Sequence, residues 1–452
     1  YTGGGLMTTG GNIVIPDGGN IGSASDTDAI AIASNGVVTF SQNPVFPDGG
    51  IPLADLDIDG GTDISADLAD ADLIIVDDGA GGTNRKAALS RLKTYIGTTG
   101  VVRNYINNPE FKVAQRGKTI NATTPFSGAN NDAVYTLDQW LLLSDGNDIV
   151  DVAQTESDVP TSSQTALELD VETANKKFGI VQFIENIECQ SIIGEEVTLS
   201  FQAKATSNLD DVRAAIIAWS STEDAPSKDI VSAWEAEGTN PTLASNFTYE
   251  NTPADLNVTT SFAKYSVTAT IDTSSTTNVA VFIFSNVTGT TAGTDKLHIG
   301  QVQLEKASSA SDFNFESIDS YFHKCARHFR GWLETGDASA NQNAIAQGHN
   351  VGTTASRMQL FNPVPFRATP TIDQNELLVL SNTAANVTSI SSIGTVGVGQ
   401  NGTTFVANYS STAFTNGGQV ALFLDTAEAG TSRCFISCEL EFLDTKKLYL
   451  LN

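Results

Sequence analysis

The stretch of sequence that decides the fold spans residues 296–330. It reads KLHIGQVQLE over Lys296–Glu305, KASSASD over residues 306–312 and FNFESIDSYFHKCARHFR over residues 313–330. The first segment alternates apolar and polar residues, and its apolar face changes after Gly300, which predicts a β-strand with a bulge at the glycine. This strand is expected to close a sheet, so we predict that a β domain ends near Glu305.

The last segment changes to the period of a helix. Four apolar residues recur at i, i+4, i+7 and i+11: Ile318, Phe322, Cys325 and Phe329. That spacing places them on one helix face, and Ser317 is a residue type that caps helix N-termini. We therefore predict a helix that carries the chain from the β domain into a second domain, residues 307–452.

Length and charge limit the possible functions. A chain of 452 residues is expected to form two or three domains. Its 52 acidic and 24 basic residues give a net charge of −28. Binding to nucleic acid needs a basic surface that neutralises phosphates, so the composition argues against it. The charge favours surroundings rich in salt or divalent ions, where self-repulsion is screened.

The cysteines and the hydropathy bear on where the protein is made. Cys434 and Cys438 are four residues apart on a predicted strand, which separates them by about 13 Å, whereas a disulfide spans at most about 7 Å. With Cys189 and Cys325 they are predicted to be free thiols of a protein made in a reducing cytoplasm. No apolar run is long enough for a membrane helix and no signal peptide is recognised. The chain begins at Tyr1 rather than Met, which leaves room for a preceding segment.

Residues 1–84 differ in composition from the rest. They contain 13 Asp and no Lys, Arg, His or Glu. Short apolar runs between Gly- and Asp-rich turns predict short strands, which cannot enclose a core within one chain. Several copies around a common axis could bury a shared set of apolar residues: Ile13, Ile15, Ile30, Ile32, Val37 and Phe40. We therefore predict an extended, acidic β shaft or adaptor that is stable only as a homotrimer.

The shaft contains a candidate metal site. Asp55, Asp57 and Asp59, in the segment DLDIDG (55–60), match the opening of an EF-hand calcium loop. The twelfth position of that loop is Ala66, where a bidentate glutamate is needed, and no helices flank it. The alternatives are a different type of calcium site at subunit contacts, or a strand with its aspartates in water. Calcium is the only cofactor that the sequence suggests.

Residues 84–96 predict the first helix. Leu89, Leu92 and Ile96 lie at i, i+3 and i+7, and Gly97 stands where helices commonly end. The narrow apolar stripe suits a short three-chain helical collar between shaft and head, followed by a linker, with collar and linker together occupying residues 85–106. A helix that packs on its own β domain is an equal alternative.

Residues 107–306 predict a jelly-roll β-sandwich. About eight apolar runs of strand length are separated by polar turns, a spacing typical of two-sheet sandwiches. Trp219, Trp234 and Tyr249 lie on or beside the long connection 220–253. Aromatic side chains on such a loop could stack on sugar rings, which makes these three the candidate glycan-binding residues. The alternative is that they cover the open edge of the sandwich.

Beyond the helix the pattern is β again. Runs at 358–361, 377–380, 404–408, 420–424 and 434–442 predict strands of a second, sandwich-like distal domain. The connections 381–400 and 408–418 are rich in Thr, Ser, Asn and Gly and are predicted to be long loops. Loops held by a rigid sandwich often carry recognition.

Several segments resemble a known protein family. They read NNPEFKVAQRG (107–117), YTLDQW (135–140), YFHKCARHF (321–329) and NPVPFRATPT (362–371). In this order they resemble tail fibres and receptor-binding proteins of tailed phages. In that family a carbohydrate-module-like jelly roll with a YTADRW strand precedes an ELALCQRYY-type helix and a distal domain with a PMRATPT strand. The segment GEEVTLSFQAK (194–204) is similar to the GKTVTLSFWAK strand of carbohydrate-binding modules.

The resemblance implies a virion protein, and no catalytic motif accompanies it. The sequence lacks H-E-x-x-H, G-x-S-x-G, a Walker loop and C-x-x-C. Carboxylate pairs such as Glu185 with Glu188 are expected by chance in so acidic a chain, so we predict no catalytic residues and no enzymatic activity. The favoured function is a trimeric tail fibre or tailspike, made in the host cytoplasm, that docks on a tail hub or adaptor and binds host surface polysaccharide. The alternatives are a capsid decoration or vertex fibre protein, and a glycan depolymerase.

Overall fold

The computed structural model describes residues 11, 14–42, 44, 65–77, 84–92, 95, 103–122, 130–333, 344–375, 377–381, 387–398, 402–409, 414, 416–424 and 433–438. Within these ranges the protein is mainly β, as the sequence predicts. The chain forms two compact units, residues 1–97 and residues 98–452. The finer division at residues 84, 106 and 306 stays a prediction.

The first unit contains small antiparallel sheets. β1 (Asn20–Ser23), β2 (Asp26–Ile32) and β3 (Val38–Phe40) form one sheet in sequence order, and β4 (Leu73–Asp77) pairs with β5 (Asn84–Ala88). None of the residues described in this unit is buried. In a single copy its apolar side chains are therefore at least partly exposed, with Ile75 77% exposed and Phe40 46% exposed.

The helix predicted over residues 84–96 is wrong in its first half. Residues 84–88 form β5, and in the described part of the segment only residues 89–92 and Tyr95 are helical. β5 pairs with β4 along its whole length, from Asn84 opposite Asp77 to Ala88 opposite Leu73. This pairing satisfies the backbone hydrogen-bonding groups of both strands, and such a contact overrides local helix propensity.

The second unit begins with a two-sheet sandwich, which we call the first sandwich. Its strands are β6 (Thr119–Ile120), β7 (Val134–Tyr135), β8 (Leu141–Ser144), β9 (Val150–Thr155), β10 (Ala166–Val171), β11 (Phe178–Ile184), β12 (Glu196–Ala205), β13 (Val212–Trp219), β14 (Val231–Ala233), β15 (Thr242–Leu243), β16 (Phe247–Tyr249), β17 (Ala263–Thr270), β18 (Asn278–Ser285) and β19 (Lys296–Glu305). The first sheet has the order β17-β12-β19-β10-β9-β6 and the second the order β16-β13-β18-β11-β8-β7. Neighbouring strands in these two sheets pair antiparallel, as a jelly roll requires.

The second sheet is buried on both of its faces. On its inner face, residues such as Ile180, Ile216 and Val281 pack against residues of the first sheet such as Leu199 and Leu297. On its outer face a separate apolar cluster is covered by the segment 220–253. Every residue of β11, β13 and β18 is therefore buried. Two-sided burial explains why these strands are continuous apolar runs with no alternation.

The bulge predicted in β19 is confirmed. In the pairing of β12 with β19, Ser200 lies opposite Gln303, but Gln202 lies opposite Gly300, so β19 carries one extra residue. The extra residue, Gln301, has a φ of +49°. Gly300 itself is required by packing, because a Cβ there would lie 2.8 Å from Cγ of Pro160.

The predicted helix after the sandwich is present, with a different buried face. It spans Ile318–Ala326, and the Ser317 side chain accepts a hydrogen bond from Ser320 N at 3.3 Å. Tyr321 and Cys325 are buried against Val113, whereas Ile318 is 51% exposed. The helix is turned this way because the Tyr321 hydroxyl donates to the fully buried carboxylate of Glu110 at 3.1 Å. We call Ile318–Ala326 the junction helix.

Two segments that resemble family strands are mostly turns here. β7 ends at Tyr135, and Trp140 N donates to Leu137 O at 2.9 Å, which closes a turn before β8. In the segment 362–371 only Thr371 belongs to a strand. Both segments occur along the chain in the same order as the family's strands. In this protein, however, they mainly form the connections between strands.

The distal domain follows the junction helix. Its strands are β20 (Phe329–Leu333), β21 (Ala344–Asn350), β22 (Ala355–Phe361), β23 (Thr371–Asn375), β24 (Leu377–Ser381), β25 (Val387–Ser389), β26 (Ser392–Val398), β27 (Gly402–Asn408), β28 (Gln419–Leu424) and β29 (Arg433–Ser437). They form a sheet of order β25-β24-β28-β21-β22-β27-β26 and a smaller sheet β20-β29-β23. The core between them includes Met358, Phe405 and Ile436. The predicted loop 381–400 is wrong, because it contains β25 and β26.

Polar contacts attach the junction helix and β20 to the sandwich. Gln115 Nε2 donates to Phe329 O at 2.9 Å. Glu185, which follows β11, lies 3.1 Å from Arg327 Nη2 and 2.8 Å from His328 Nε2. The four cysteines are buried thiols, and no disulfide joins them. In the described part of the chain, no helix combines the length and apolar character needed to cross a bilayer.

Candidate functional site

The three aromatic residues predicted to bind glycan lie in one cluster on the outer face of the second sheet. Trp219 is 7% exposed, and its ring centroid lies 4.6 Å from that of Phe247. Trp234 and Tyr249 are half-buried and pack on the same cluster. Trp219 Nε1 donates to Thr222 O and the Tyr249 hydroxyl to Pro241 O, each at 2.9 Å. The polar side-chain atoms of Trp219 and Tyr249 are thus used within the fold, and the role of all three residues in glycan binding stays a prediction.

A buried lysine fixes the segment that covers this cluster. Lys177 is 1% exposed, and its ammonium group donates to Ala236 O at 2.8 Å and to Asn286 Oδ1 at 2.5 Å. It also donates to Trp234 O at 3.1 Å. Burial lowers the pKa of Lys177. The contact with Trp234 O holds the backbone of Trp234 on the sheet. This agrees with the alternative stated for these aromatic residues, that they cover part of the sandwich.

The predicted metal ligands Asp55, Asp57 and Asp59 lie outside the described residues. Among the residues that the structure does describe, no group of three or more His, Cys, Asp or Glu side chains is arranged to hold a metal ion. The calcium prediction therefore stays a prediction.

The carboxylates paired in the sequence are engaged in ion pairs. Glu185 contacts Arg327 and His328, and Glu188 contacts Arg103. Burial opposes ionisation of Glu185, but its hydrogen bonds with His328 and Arg327 outweigh burial and lower its pKa to about 2. A general acid needs a raised pKa, so Glu185 is not suited to that task.

Burial raises the pKa of other carboxyl groups. It raises that of Asp132 to about 6, and together with neighbouring carboxylates it raises that of Asp151 to about 6. Neither residue borders the cavities described below, so no substrate space adjoins them there.

The largest of the cavities lies on the distal domain, and we call it the distal groove. It has a volume of about 910 Å³ and is lined by Arg330, Trp332, Ala344, Ile345, Ala346, Gln347, Gly348, His349, Gln359, Leu360, Phe361, Asn362, Pro363 and Gln419. This volume is in the range of ligand sites, about 300–1,000 Å³. Three glutamines, one histidine and two aromatic residues give it the composition of a polar binding surface.

Strand register brings the glutamines of the distal groove together. Gln347 on β21 lies opposite Gln359 on β22, and His349 lies opposite Gln419 on β28. These four side chains are exposed. Directly paired residues on one sheet face have Cβ atoms about 5 Å apart. The amide and imidazole groups therefore form a patch that can exchange hydrogen bonds with a ligand rich in hydroxyl groups.

Aromatic residues border this polar patch. Trp332 packs on the distal core, and the guanidinium carbon of Arg330 lies 5.0 Å from its ring centroid and 4.8 Å from that of Phe322. Arg330 Nη1 also donates to Gln115 Oε1 at 3.1 Å. Phe361, on β22, is 77% exposed. The groove thus combines a fixed tryptophan, an exposed phenylalanine and hydrogen-bonding amides.

Two smaller cavities adjoin the junction helix and the segment before it. One, of about 230 Å³, is bordered by Phe313 and Phe315, whose ring centroids lie 4.8 Å apart, and by Gln202. The other, of about 370 Å³, is lined by the ion pairs of Glu185 and Arg103. The first is small for an extended ligand, and the second is formed by groups that already pair with one another.

Replacing Gly348 by alanine should damage the distal groove. An added Cβ would overlap the carbonyl oxygen of Arg357 and lie 2.8 Å from Met358 Sδ. We expect a loss of about 1–3 kcal/mol, the usual cost of overpacking, because β21 must move away from β22. Thermal unfolding would measure it. Gly352→Ala is the matched control, since nothing lies within 4 Å of a Cβ there; equal losses in both variants would contradict the account.

Sequence reasoning did not identify the distal groove. The β21 sequence, AIAQGHN, has a glycine and little β-branched character, so no strand was predicted there. In β22 the polar residues of the segment RMQLF alternate with apolar ones, which indicates one exposed face. Which strand lies beside β22 depends on long-range pairing, which the local sequence does not show. The recurrence of glutamine, at Gln347 in β21 and Gln359 in β22, is the local feature of the sequence that could have indicated the patch.

Comparisons with known proteins give partial likenesses only. No family model matches the chain, and no curated protein matches it. Among solved structures, the enzymatically active domain of tailspike protein 4 from bacteriophage CBA120 matches at 20% identity with a TM-score of 0.23, over 42% of this chain and 22% of that domain. A putative sugar binding protein from Bacteroides thetaiotaomicron matches at 16% identity with a TM-score of 0.29, over 45% of this chain and 100% of that protein. A xylan-binding domain from Paenibacillus barcinonensis matches at 11% identity with a TM-score of 0.24, over 42% of this chain and 94% of that domain.

Proposed function

We propose that the protein is a non-catalytic attachment protein of a tailed phage that binds host surface polysaccharide through the distal groove. In this proposal it acts as a homotrimer in the virion tail, is made in the host cytoplasm and docks through its first unit on a tail hub or adaptor. The observation that carries the proposal is the open groove with Trp332, Phe361 and a patch of glutamines. The order of sequence motifs that resembles phage tail fibres supports the virion role.

The chemistry of the distal groove suits a polysaccharide. Sugars present hydroxyl groups that both donate and accept hydrogen bonds, and a glutamine side chain does the same. The apolar faces of sugar rings pack on aromatic rings, and Trp332 is held in place by the distal core and by Arg330. Fixing such an anchor before binding lowers the entropic cost of association.

The first unit supports the trimer. Its described residues include no buried side chain, although Ile75 and Phe40 lie on strands. Apolar side chains on short strands gain stability when a second surface covers them, and identical copies around an axis supply that surface. Several copies of one groove then bind a repetitive polymer with avidity.

Removing the glutamine amides should abolish most binding. We expect the double variant Gln347→Ala, Gln359→Ala to bind polysaccharide at least about tenfold more weakly, because hydrogen bonds at a central site contribute more than about 1.4 kcal/mol in total. Both side chains are exposed, so folding should be unchanged. Biolayer interferometry on immobilised bacterial capsular polysaccharides and lipopolysaccharides, with neutral, uronic-acid-containing and phosphate-containing members, measures the effect.

One control variant and three contrary outcomes delimit this test. Thr242→Ala together with Ser232→Ala changes exposed polar residues on the first sandwich and should bind as the wild type does. If the glutamine variant also binds normally, the distal groove is not the site. If the wild type binds none of the polysaccharides, the proposed function fails. Release of reducing ends from a bound polysaccharide would contradict the non-catalytic part.

A further inference from the structure

The distal groove is a basic surface on an acidic protein. The chain has a net charge of −28. The described residues that line the groove include Arg330 and His349 but no aspartate or glutamate. A further arginine, Arg357, lies on β22 directly opposite His349 and is exposed. Chance placement in so acidic a chain would more often bring carboxylates to such a surface.

The two arginines at the groove also differ from most other cations of the second unit. Lys112, Lys176, Arg213 and Lys324 each lie within 3.0 Å of a carboxylate oxygen. Neither Arg330 nor Arg357 forms an ion pair with any residue that the structure describes. Most cations in the sandwich are thus neutralised locally by a carboxylate, whereas these two remain available to a ligand.

Arg330 is held ready for an anion. Its guanidinium group is fixed between Phe322 and Trp332 and donates one hydrogen bond to Gln115. Burial lowers its pKa, and the charge of Asp138 offsets that only in part. A partly buried cation without a close counter-ion is costly, so an anion bound nearby is favourable.

We propose that the distal groove selects acidic glycans, whose carboxylate or phosphate groups are bound by Arg357 and Arg330 while a sugar ring packs on Trp332. This inference rests on the proposed function and specifies its ligand class. The planar guanidinium fork matches both carboxylate and phosphate geometry. The glutamines Gln347 and Gln359 bind hydroxyl groups of the same chain, and the anionic substituent gives the selectivity.

The experiment uses matched pairs of polysaccharides and the full chain. Each acidic member of the capsular polysaccharide panel is compared with its own derivative, in which uronic acid carboxyl groups are reduced to alcohols or phosphate groups are removed. The two treatments separate carboxylate from phosphate as the recognised group. Affinities are measured at low and at high ionic strength for wild type, Arg357→Gln and Lys118→Gln. Lys118 is an exposed cation of the first sandwich and serves as the charge-matched control.

We expect the wild type to bind the acidic member of a pair at least about tenfold more tightly than its neutral derivative, with the difference reduced by salt. Arg357→Gln should lose most of this preference and keep the weak binding to the neutral derivative, whereas Lys118→Gln should bind as the wild type does. Equal binding to both members of every pair would overturn the inference and leave the proposed function intact. If the wild type binds no member of any pair, both the inference and the proposed function are wrong.

One further outcome would assign the groove to another partner. If Arg357→Gln changes the molar mass of the purified protein in light scattering, the groove contacts a second copy of the chain, and the inference is wrong. An unchanged mass together with lost preference supports it.

Discussion

Glu185→Gln is expected to destabilise the second unit by about 3 kcal/mol at pH 7. Glu185 is 9% exposed and contacts Arg327 and His328, which lie just after the junction helix. These contacts lower its pKa from 4.5 to about 2, and each pKa unit corresponds to about 1.4 kcal/mol. Glutamine keeps the size of the side chain and removes the charge, so it reproduces the protonated form.

The dependence on pH tests the same account. The folded protein releases the Glu185 proton more readily than the unfolded chain does. The stabilisation is therefore complete above about pH 4.5 and is lost as the pH falls towards 2. The wild type and Glu185→Gln should differ by a constant amount from pH 7 to about pH 5 and converge below that. Urea unfolding followed by tryptophan fluorescence, at several pH values, measures the difference.

Glu188→Gln is the matched control for this experiment. Glu188 lies three residues after Glu185 in the sequence. Its side chain forms an ion pair with Arg103 and is 44% exposed. Exposed pairs contribute at most about 1 kcal/mol, so this variant should resemble the wild type. A Glu185→Gln variant as stable as Glu188→Gln, or a difference that grows below pH 4, would show that the buried contacts do not stabilise the junction.

The junction helix shows why this region was only partly predictable from the sequence. The helix period and the Ser317 cap are local, and the helix is present where they place it. Its buried face depends on Glu110, which is 211 residues from Tyr321 in sequence. The pattern offered Ile318, Phe322, Cys325 and Phe329 as one face. A polar contact with a distant buried carboxylate selected Tyr321 and Cys325 instead, and Phe329 lies in β20, after the end of the helix.

The strands likewise differ in whether the local sequence is sufficient to predict them. β11, β13 and β18 were predictable because they are buried on both faces and contain unbroken apolar runs. β5 was not, because Asn84–Ala88 has helix-favouring residues and becomes a strand only through its partner β4. The distal groove was missed for a related reason: its polar residues lie on separate strands, and only register joins Gln347 to Gln359.

Charge on the apolar strands of the first unit should dissociate the assembly. We expect the wild type to have three times the mass of one chain in light scattering, and the double variant Phe40→Asp, Ile75→Asp to have the mass of one chain. Both residues are exposed in a single copy, at 46% and 77%, so the substitutions disturb no intrachain core. Between copies, burying an unpaired carboxylate costs several kcal/mol, which exceeds what the two apolar side chains contribute.

Loss of the trimer should weaken attachment far more than it weakens a single site. Linked sites gain about 10²–10⁴ in overall avidity over one site, so the double variant should bind a polysaccharide-coated surface at least about a hundredfold more weakly. Its affinity for a short oligosaccharide in solution should be unchanged, because the distal groove belongs to the other unit. Ile187→Asp is the matched control: Ile187 is 70% exposed on the first sandwich and should affect neither measurement. A wild type with the mass of one chain would contradict the trimer. A double variant that stays trimeric would instead place the contact between copies elsewhere than on these strands.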